Sequence, residues 1–428
     1  KFIIAFVPLR EVEGRKLFLL SQNKNKEDNM KTQSFNEIEN LTKEYSMIPI
    51  CKEIYADVIT PIQLLRKMEA FDKNFFLLES VEGGEKWARY SFLGYEPVLH
   101  ITCKNGKVTQ KSGEIEHTVT VDPMDALRQL LHKYKSPKIE GMPTFTGGFV
   151  GYFGYEMIGY AEPKLNIKDS EFDDYNLMLF DKVIAFDNRE NKIILIVNIQ
   201  TQEVDENYAI ALKELEIMKN IILNGDEAEI EKPKLKTEFK PLFDGERYAK
   251  MVEKAKHYIK EGDIFQVVLS NRLEAEMDGS LFGTYEILRK LNPSPYMFYF
   301  SSDDIEMAGA SPETLVKLEN GKLSTYPLAG TRPRGKSKTD DDELEKELLK
   351  DPKELAEHNM LVDLGRNDLG KISKFGSVKV EALHMLQRFS HVIHITSTVS
   401  GDMQDGKDAL DAIGATLPAG TSSGAPKI

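Results

Sequence analysis

Lys182-Val183-Ile184-Ala185-Phe186 and Ile193-Ile194-Leu195-Ile196-Val197 are two short apolar runs rich in β-branched residues. Runs of this length and composition read as strands. Phe75–Ser80 and Val98–Thr102 read the same way, while Pro61–Phe71, Pro123–Tyr134 and Asn207–Ile222 carry helical patterns. Long, antiparallel-looking strands with helices between them predict an α+β fold across residues 46–222.

The chain has 428 residues, enough for two or three domains. Residues 224–241 are charged, proline-bearing and poor in apolar side chains, the pattern of a linker. The expected division is therefore 1–29 as an upstream, disordered extension, 30–223 as an N-terminal region, 224–242 as linker and 243–428 as a second α+β unit. The extension is predicted from the polar tract Gln22–Asn29, with Met30 as a candidate start. Phe2–Val7 is apolar but short and runs into Pro8 and charges, so it reads as neither signal nor anchor.

Net charge is −13, which argues against nucleic acid or an acidic membrane surface as partner. No apolar run reaches the roughly 18–20 residues of a membrane span. Two cysteines, Cys51 and Cys103, stand outside any C-x-x-C spacing, which suits a reducing cytoplasm. Neither lies in a G-x-C-x-G nucleophile turn, so no glutaminase signature is present.

The second half carries the chemistry. Asp351 is a good N-cap, Pro352 fits the first helical position and Glu354 stands where a capping-box acid belongs. The helix is expected to run to Leu364 and stop at Gly365, with Glu354, Glu357 and His358 on one face. That face is either a solvated helix end or a pair of carboxylates for a hard cation such as Mg²⁺. Strand spacing sets Ser390, Val392, His394, Thr396 and Thr398 on one face. His394 there is an acid/base candidate or a satisfied buried histidine. Leu417–Lys427 is a small-residue loop that is expected to open a helix and to expose N–H groups to an anion, or else to be a tight turn. Arg332 and Arg334 are candidate carboxylate forks, with an exposed helix face over Lys336–Lys350. Gly147–Gly154 lacks the G-x-G-x-x-G spacing and reads as a strand whose glycines allow close backbone approach.

In this order the motifs resemble the chorismate-binding superfamily. The resemblance rests on Gly262–Ser270, Gly309–Thr314, Pro327–Gly335, Ala356–Asp368 and Pro418–Lys427, spanning nearly all of 243–428. Leu77-Leu78-Glu79-Ser80 and Gly83–Ser91 resemble the matching regulatory region. The resemblance implies two large β-sheets packed as a sandwich with helices outside. Gln266 and Ala329 stand where water-adding and aminodeoxychorismate-forming members carry lysines. The chain thus resembles the large subunit of the anthranilate synthases, lyases of tryptophan biosynthesis that make anthranilate and pyruvate from chorismate and ammonia. Aminodeoxychorismate synthase and a non-catalytic tryptophan-binding fragment are the alternatives.

Carried over position by position, the resemblance implies Glu357 as an Mg²⁺ ligand with Glu354 in its near shell. Gly330 and Thr331, with Ala419, Gly420, Thr421 and Gly424 of the loop, would bind substrate. Glu313 would protonate the departing 4-hydroxyl, and His394 would assist pyruvate elimination. Ser80, Pro295, Tyr296 and Met297 would bind L-tryptophan as feedback inhibitor. A glutamine amidotransferase subunit, in a heterotetramer, would supply ammonia. Family members continue past Ile428 with further site residues, so residues 1–428 alone are expected to be inactive.

Overall fold

The computed structural model describes residues 2–8, 38–80 and 89–427. Two compact units emerge. The first comprises residues 1–159, 163–230 and 281–312; the second comprises 160–162, 231–280 and 313–428. After the short excursion Tyr160–Glu162, the chain passes to the second unit within the linker-like stretch, at Glu231. It returns to the first for Leu281–Pro312.

The first unit is built on two antiparallel sheets. One has seven strands, in the order Glu306–Ser311, Tyr296–Ser301, Phe75–Glu79, Tyr90–Tyr95, Lys182–Asp187, Lys192–Gln200 and Met47–Tyr55. The other has six: Phe2–Pro8, Gly148–Gly154, Tyr175–Phe180, Leu99–Lys104, Lys107–Ser112 and Ile115–Val119. Phe76, Phe92, Val183, Ala185, Ile194 and Ile196 of the first sheet share a core with Val150, Met178 and Phe180 of the second. Phe76 and Phe180 meet edge to face with ring centroids 4.8 Å apart. The opposite face of the seven-stranded sheet is covered by helices Pro61–Glu69, Val204–Asn224 and Phe282–Leu291, through Leu64, Leu65, Leu215, Met218, Phe282 and Tyr285. This is the expected sandwich with helices outside. It also explains why Ile193–Val197 does not alternate: both faces of that strand are buried. Each large apolar side chain buried there contributes roughly 1.5–3 kcal/mol.

Residues 1–29 do not follow the disorder expectation throughout. Phe2–Pro8 pairs antiparallel with Gly148–Gly154, Phe2 opposite Gly154 and Pro8 opposite Gly148. The apolar, β-branched opening meets a strand edge, and pairing satisfies the backbone groups of both. Residues 9–29 lie outside the described residues. The glycine-rich strand behaves as its spacing suggests, since a Cβ on Gly151 would stand 2.0 Å from Asn176 O.

The second unit centres on a five-stranded antiparallel sheet: β1 (Lys317–Glu319), β2 (Lys322–Thr325), β3 (Leu328–Pro333), β4 (Lys379–Arg388) and β5 (Val392–Asp402). β5 is the long central strand. One of its edges pairs β2 and then β3, and the other pairs β4. Helices α1 (Lys338–Leu348), α2 (Pro352–Gly370) and α3 (Ala409–Thr416) complete the unit's later part. α2 begins as expected: Asp351 caps it by accepting the Lys353 and Glu354 N–H groups, with Pro352 at the first position. Its end is different. The helix passes through Gly365 and runs to Gly370. A Cβ on Gly365 would lie 3.0 Å from Thr325 Cγ2, so this glycine lets α2 lie close on β2 instead of ending the helix.

Candidate active site

α2, β3 and β5 frame a cleft of about 360 Å³ in the second unit, lined by Gln266, Ala329, Gly330, Thr331, Glu354, Glu357, His394 and Thr421 among others. β5 alternates as a half-buried strand should, with Ile393 and Ile395 buried and His394 turned to the other face. β3 carries a bulge between Ala329 and Thr331. Gly330 sits in it at φ +79°, where a side chain would be strained and its Cβ would meet Ile395 Cδ1 at 2.9 Å. The bulge re-aims two backbone groups. Gly330 O receives His394 Nδ1 at 3.3 Å, and Thr331 N–H donates to Glu354 Oε2 at 3.2 Å. Thr331 Oγ1 also stands 3.0 Å from His394 Nδ1.

Gly330 O can only accept, so this contact is served by the tautomer with the proton on Nδ1, in which the Nε2 lone pair is available; the Thr331 hydroxyl can pair with either tautomer. Burial holds the His394 imidazole below its ordinary pKa, with the Gly330 contact opposing. Burial thus favours the neutral ring, whose basic nitrogen is Nε2 in the Nδ1–H tautomer. Phe389 packs edge-on against it, ring centroids 5.4 Å apart.

Glu354 and Glu357 both reach the cleft from α2, but they differ. Glu354 has left the capping-box role: its carboxylate accepts the Thr331 N–H and lies 3.8 Å from Arg332 Nη1. Glu357 is half-buried and takes part in no hydrogen bond or ion pair among the described residues. Glu313 is half-buried beside Thr421. Burial pushes its carboxyl up to about 7, and a hydrogen bond with the Thr421 side chain partly offsets that. Such a group still holds a proton at neutral pH, as a general acid must.

The loop expected to open a helix instead makes a 3₁₀ turn, Gly420–Ser422, and a short strand, Gly424–Ala425, antiparallel to Gln266–Val267. The backbone pairing with Gln266–Val267 takes the place of a helix start, and the chain bends at Pro426. Thr421 faces the cleft. Gly420 lets the turn approach α2, since its Cβ would fall 2.0 Å from Leu364 Cδ2. Gly424 does the same for the strand pair, where a Cβ would fall 2.3 Å from Gln266 O. Ala419 O accepts the Ser423 hydroxyl at 2.7 Å. Ala419, Gly420 and Gly424 thus shape the loop and are not among the cleft-lining residues.

The two arginines are occupied. Arg332 donates to Asp351 at 2.8 Å and Glu347 at 2.9 Å, and Arg334 holds Asp341 at 2.7 Å. They anchor β3 to α1 and to the start of α2. Leu328 and Leu361 also line the cleft and were not singled out from sequence. Leu361 follows Glu357 by four residues, so helical spacing alone could have found it. His358 is fully buried behind the site. Its Nε2 lies 2.7 Å from Ser397 Oγ, and burial pushes it to about 4, with His384 adding to the effect.

The residues expected to bind an inhibitor lie in the first unit. Ser80 follows the strand Phe75–Glu79, which pairs with Tyr296–Ser301 so that Met297 stands opposite Glu79. Ser80 is thereby brought near Pro295, Tyr296 and Met297. Glu79 is buried and accepts from Tyr285 OH at 2.7 Å and from Arg289 Nη2 at 2.8 Å, one on each oxygen. Arg289 Nε donates to the same oxygen as Tyr285. This pins the end of the strand to helix Phe282–Leu291. Gly83–Ala88 lie outside the described residues.

The second unit thus holds a cleft with paired helix carboxylates and His394, and Glu313 beside Thr421 of its lining. The chain belongs to the chorismate binding enzyme family, whose model matches residues 73–428. Within that family it is similar to anthranilate synthase component 1 of Acetivibrio thermocellus, 41% identical over 406 residues, covering 92% of this chain and 82% of that one. Anthranilate synthase component 1 of Aquifex aeolicus is 41% identical over 410 residues, with 92% and 81% covered. The crystal structure of anthranilate synthase component I from Streptococcus pneumoniae superposes with a TM-score of 0.67 at 34% identity, covering 87% of this chain and 81% of that one.

Proposed function

We propose that this chain is the chorismate-aminating component of an anthranilate synthase, a lyase that converts chorismate and ammonia to anthranilate and pyruvate. The observation that carries the reading is Glu313, a carboxyl that burial keeps near neutrality beside the cleft containing His394. Glu313 donates its proton to the departing 4-hydroxyl as ammonia attacks C2. His394 Nε2, unprotonated in the tautomer whose Nδ1–H is turned to Gly330 O, then takes the C2 proton as pyruvate leaves. Gly330, Thr331 and Thr421 orient the substrate through backbone and hydroxyl groups. Gln266 and Ala329 leave the cleft without a lysine at either position, which disfavours water as nucleophile and covalent attack on the substrate. Aminodeoxychorismate synthesis is correspondingly disfavoured.

Glu357 fits a magnesium ion: it is a cleft carboxylate with no protein partner among the described residues, and Glu354 is one helical turn away. Mg²⁺ there would neutralise a substrate carboxylate. Among the described residues no cluster of three His, Cys, Asp or Glu side chains surrounds it, in keeping with an ion that retains waters and substrate oxygens.

The name component 1, carried by the relatives, supports a second component as partner, which we assign as the glutamine amidotransferase that supplies ammonia in a heterotetramer. Both cysteines are free and buried, in keeping with a cytoplasmic protein. Among the described residues no helix is long and apolar enough to cross a membrane. The test of function, and of every turnover effect below, is incubation of the protein extended to the natural stop codon with chorismate, ammonium and Mg²⁺, followed by mass analysis. Anthranilate and pyruvate are expected in equal amounts; para-aminobenzoate precursors or isochorismate would overturn the reading.

Feedback by L-tryptophan belongs to the same proposal. Ser80 would bond the ligand's amino group, with Pro295, Tyr296 and Met297 against its ring. Calorimetric titration should give saturable binding of L-tryptophan that disappears in Ser80→Phe. Equal binding by both proteins would remove the site from this strand end.

A further inference from the structure

One ammonium group closes the loop that faces the cleft. Lys427 Nζ donates to Thr416 O at 2.7 Å and to Asp368 Oδ2 at 2.7 Å. Thr416 is the last residue of α3, immediately before the loop Leu417–Pro426, and Lys427 immediately follows that loop. Asp368 belongs to the last turn of α2, the helix that also carries Glu354 and Glu357. Both ends of the loop are therefore tied at one point to α2. The side chains are only 5% and 10% exposed. Lys371 is a second cation 3.8 Å from Asp368, far more exposed than Lys427.

A buried ion pair is rarely more stabilising than an apolar pair of the same volume, so its contribution is better sought in geometry. The geometry here concerns Thr421. It sits at the middle of the loop, in the turn that Gly420 packs against Leu364, and its side chain hydrogen-bonds Glu313. The strand pair Gly424–Ala425 with Gln266–Val267 fixes the loop's far side, and Lys427 joins its two ends.

We propose that Lys427 is a positioning residue which, by tying both ends of Leu417–Pro426 to Asp368, holds Thr421 against the Glu313 carboxyl. The contact stands on the structure alone; its catalytic consequence rests on the reading of Glu313 as the acid. Burial is the larger cause acting on Glu313 and the Thr421 hydroxyl opposes it. Two substitutions should therefore act with opposite signs. Thr421→Val removes only the hydroxyl and raises the Glu313 midpoint. Lys427→Met releases the loop, lets water reach Glu313 and lowers the midpoint by about one pH unit or more, toward the ordinary carboxyl value.

The measurement is a carboxyl-carbon NMR titration of ¹³C-glutamate-labelled protein, full chain, with Glu313 assigned by its absence in Glu313→Gln. Near-ultraviolet circular dichroism checks that each variant is folded. Should the lone buried Asp368 unfold Lys427→Met, the double variant Asp368→Asn with Lys427→Met leaves no unpaired charge and still lacks the tie to Thr416. A lowered midpoint in either folded variant supports the proposal. An unchanged or raised midpoint in the double variant overturns it. Full turnover by Glu313→Gln would sink the acid assignment while leaving a midpoint shift, and the clamp, intact.

Discussion

Glu313→Gln is expected to lower ammonia-dependent turnover by about 10²–10⁴-fold, the usual contribution of a positioned general acid. The same variant should gain stability at alkaline pH. Glu313 is raised from the usual 4.5 to about 7, so between those values the folded protein binds a proton that the unfolded chain has released. Its contribution to stability is thus fully present below about 4.5 and is lost as pH rises through about 7. Glutamine keeps the shape and never ionises. At pH 8 the variant should be more stable by on the order of 2 kcal/mol, discounted for partial exposure, and at pH 4 the two proteins should match. Urea unfolding at both pH values reads this directly. In the wild type, turnover per unprotonated ammonia should fall tenfold per pH unit above about 7, and the variant should lose that limb. Loss of activity with no stability gain at pH 8 would mean that the carboxyl is ionised in the folded protein and cannot be the proton donor.

Much of the scaffold was legible because local signals and burial agree. Ile193–Val197 and Lys182–Phe186 are strand formers buried on both faces, so a plain apolar run was the correct cue. Asp351-Pro352 marks the start of α2 because capping is local chemistry. The misreadings occur where tertiary contact overrides local preference. Gly365 resembles a helix stop, yet it is a packing glycine against Thr325 at the end of β2. The loop at Leu417–Lys427 resembles a helix entry, yet a strand pairing with Gln266–Val267 claims its backbone. Arg332 and Arg334 resemble anion forks, yet Asp351, Glu347 and Asp341 occupy them. The site itself was legible only in part. Glu354 and Glu357 share a helix face by spacing, but nothing in spacing says that a bulge at Gly330 will turn Thr331 N–H onto one and leave the other without a partner among the described residues. Nor does spacing predict that Lys427 will reach back to Asp368.

The difference between those two glutamates yields the second large effect. Glu357→Ala should collapse turnover while leaving the fold unchanged, and Glu354→Ala should do the reverse in part. Glu357 makes no hydrogen bond or ion pair among the described residues, so its removal leaves no donor stranded. Its stability change should stay within about 0.5 kcal/mol. Glu354 accepts the Thr331 N–H and faces Arg332, so its loss frees a backbone donor in the β3 bulge. That should cost about 1–3 kcal/mol. If Glu357 holds Mg²⁺, deleting an anionic oxygen ligand should cost several kcal/mol in stabilising developing charge, about 10²–10³-fold in turnover. Calorimetric titration of Mg²⁺ in the presence of chorismate supplies an activity-independent readout, with saturable heat in the wild type and none in Glu357→Ala. Chelation should then inactivate the wild type to the level of that variant. Normal turnover by Glu357→Ala in the presence of EDTA would show that this carboxylate serves neither metal nor substrate, and the unpartnered position on α2 would need another occupant.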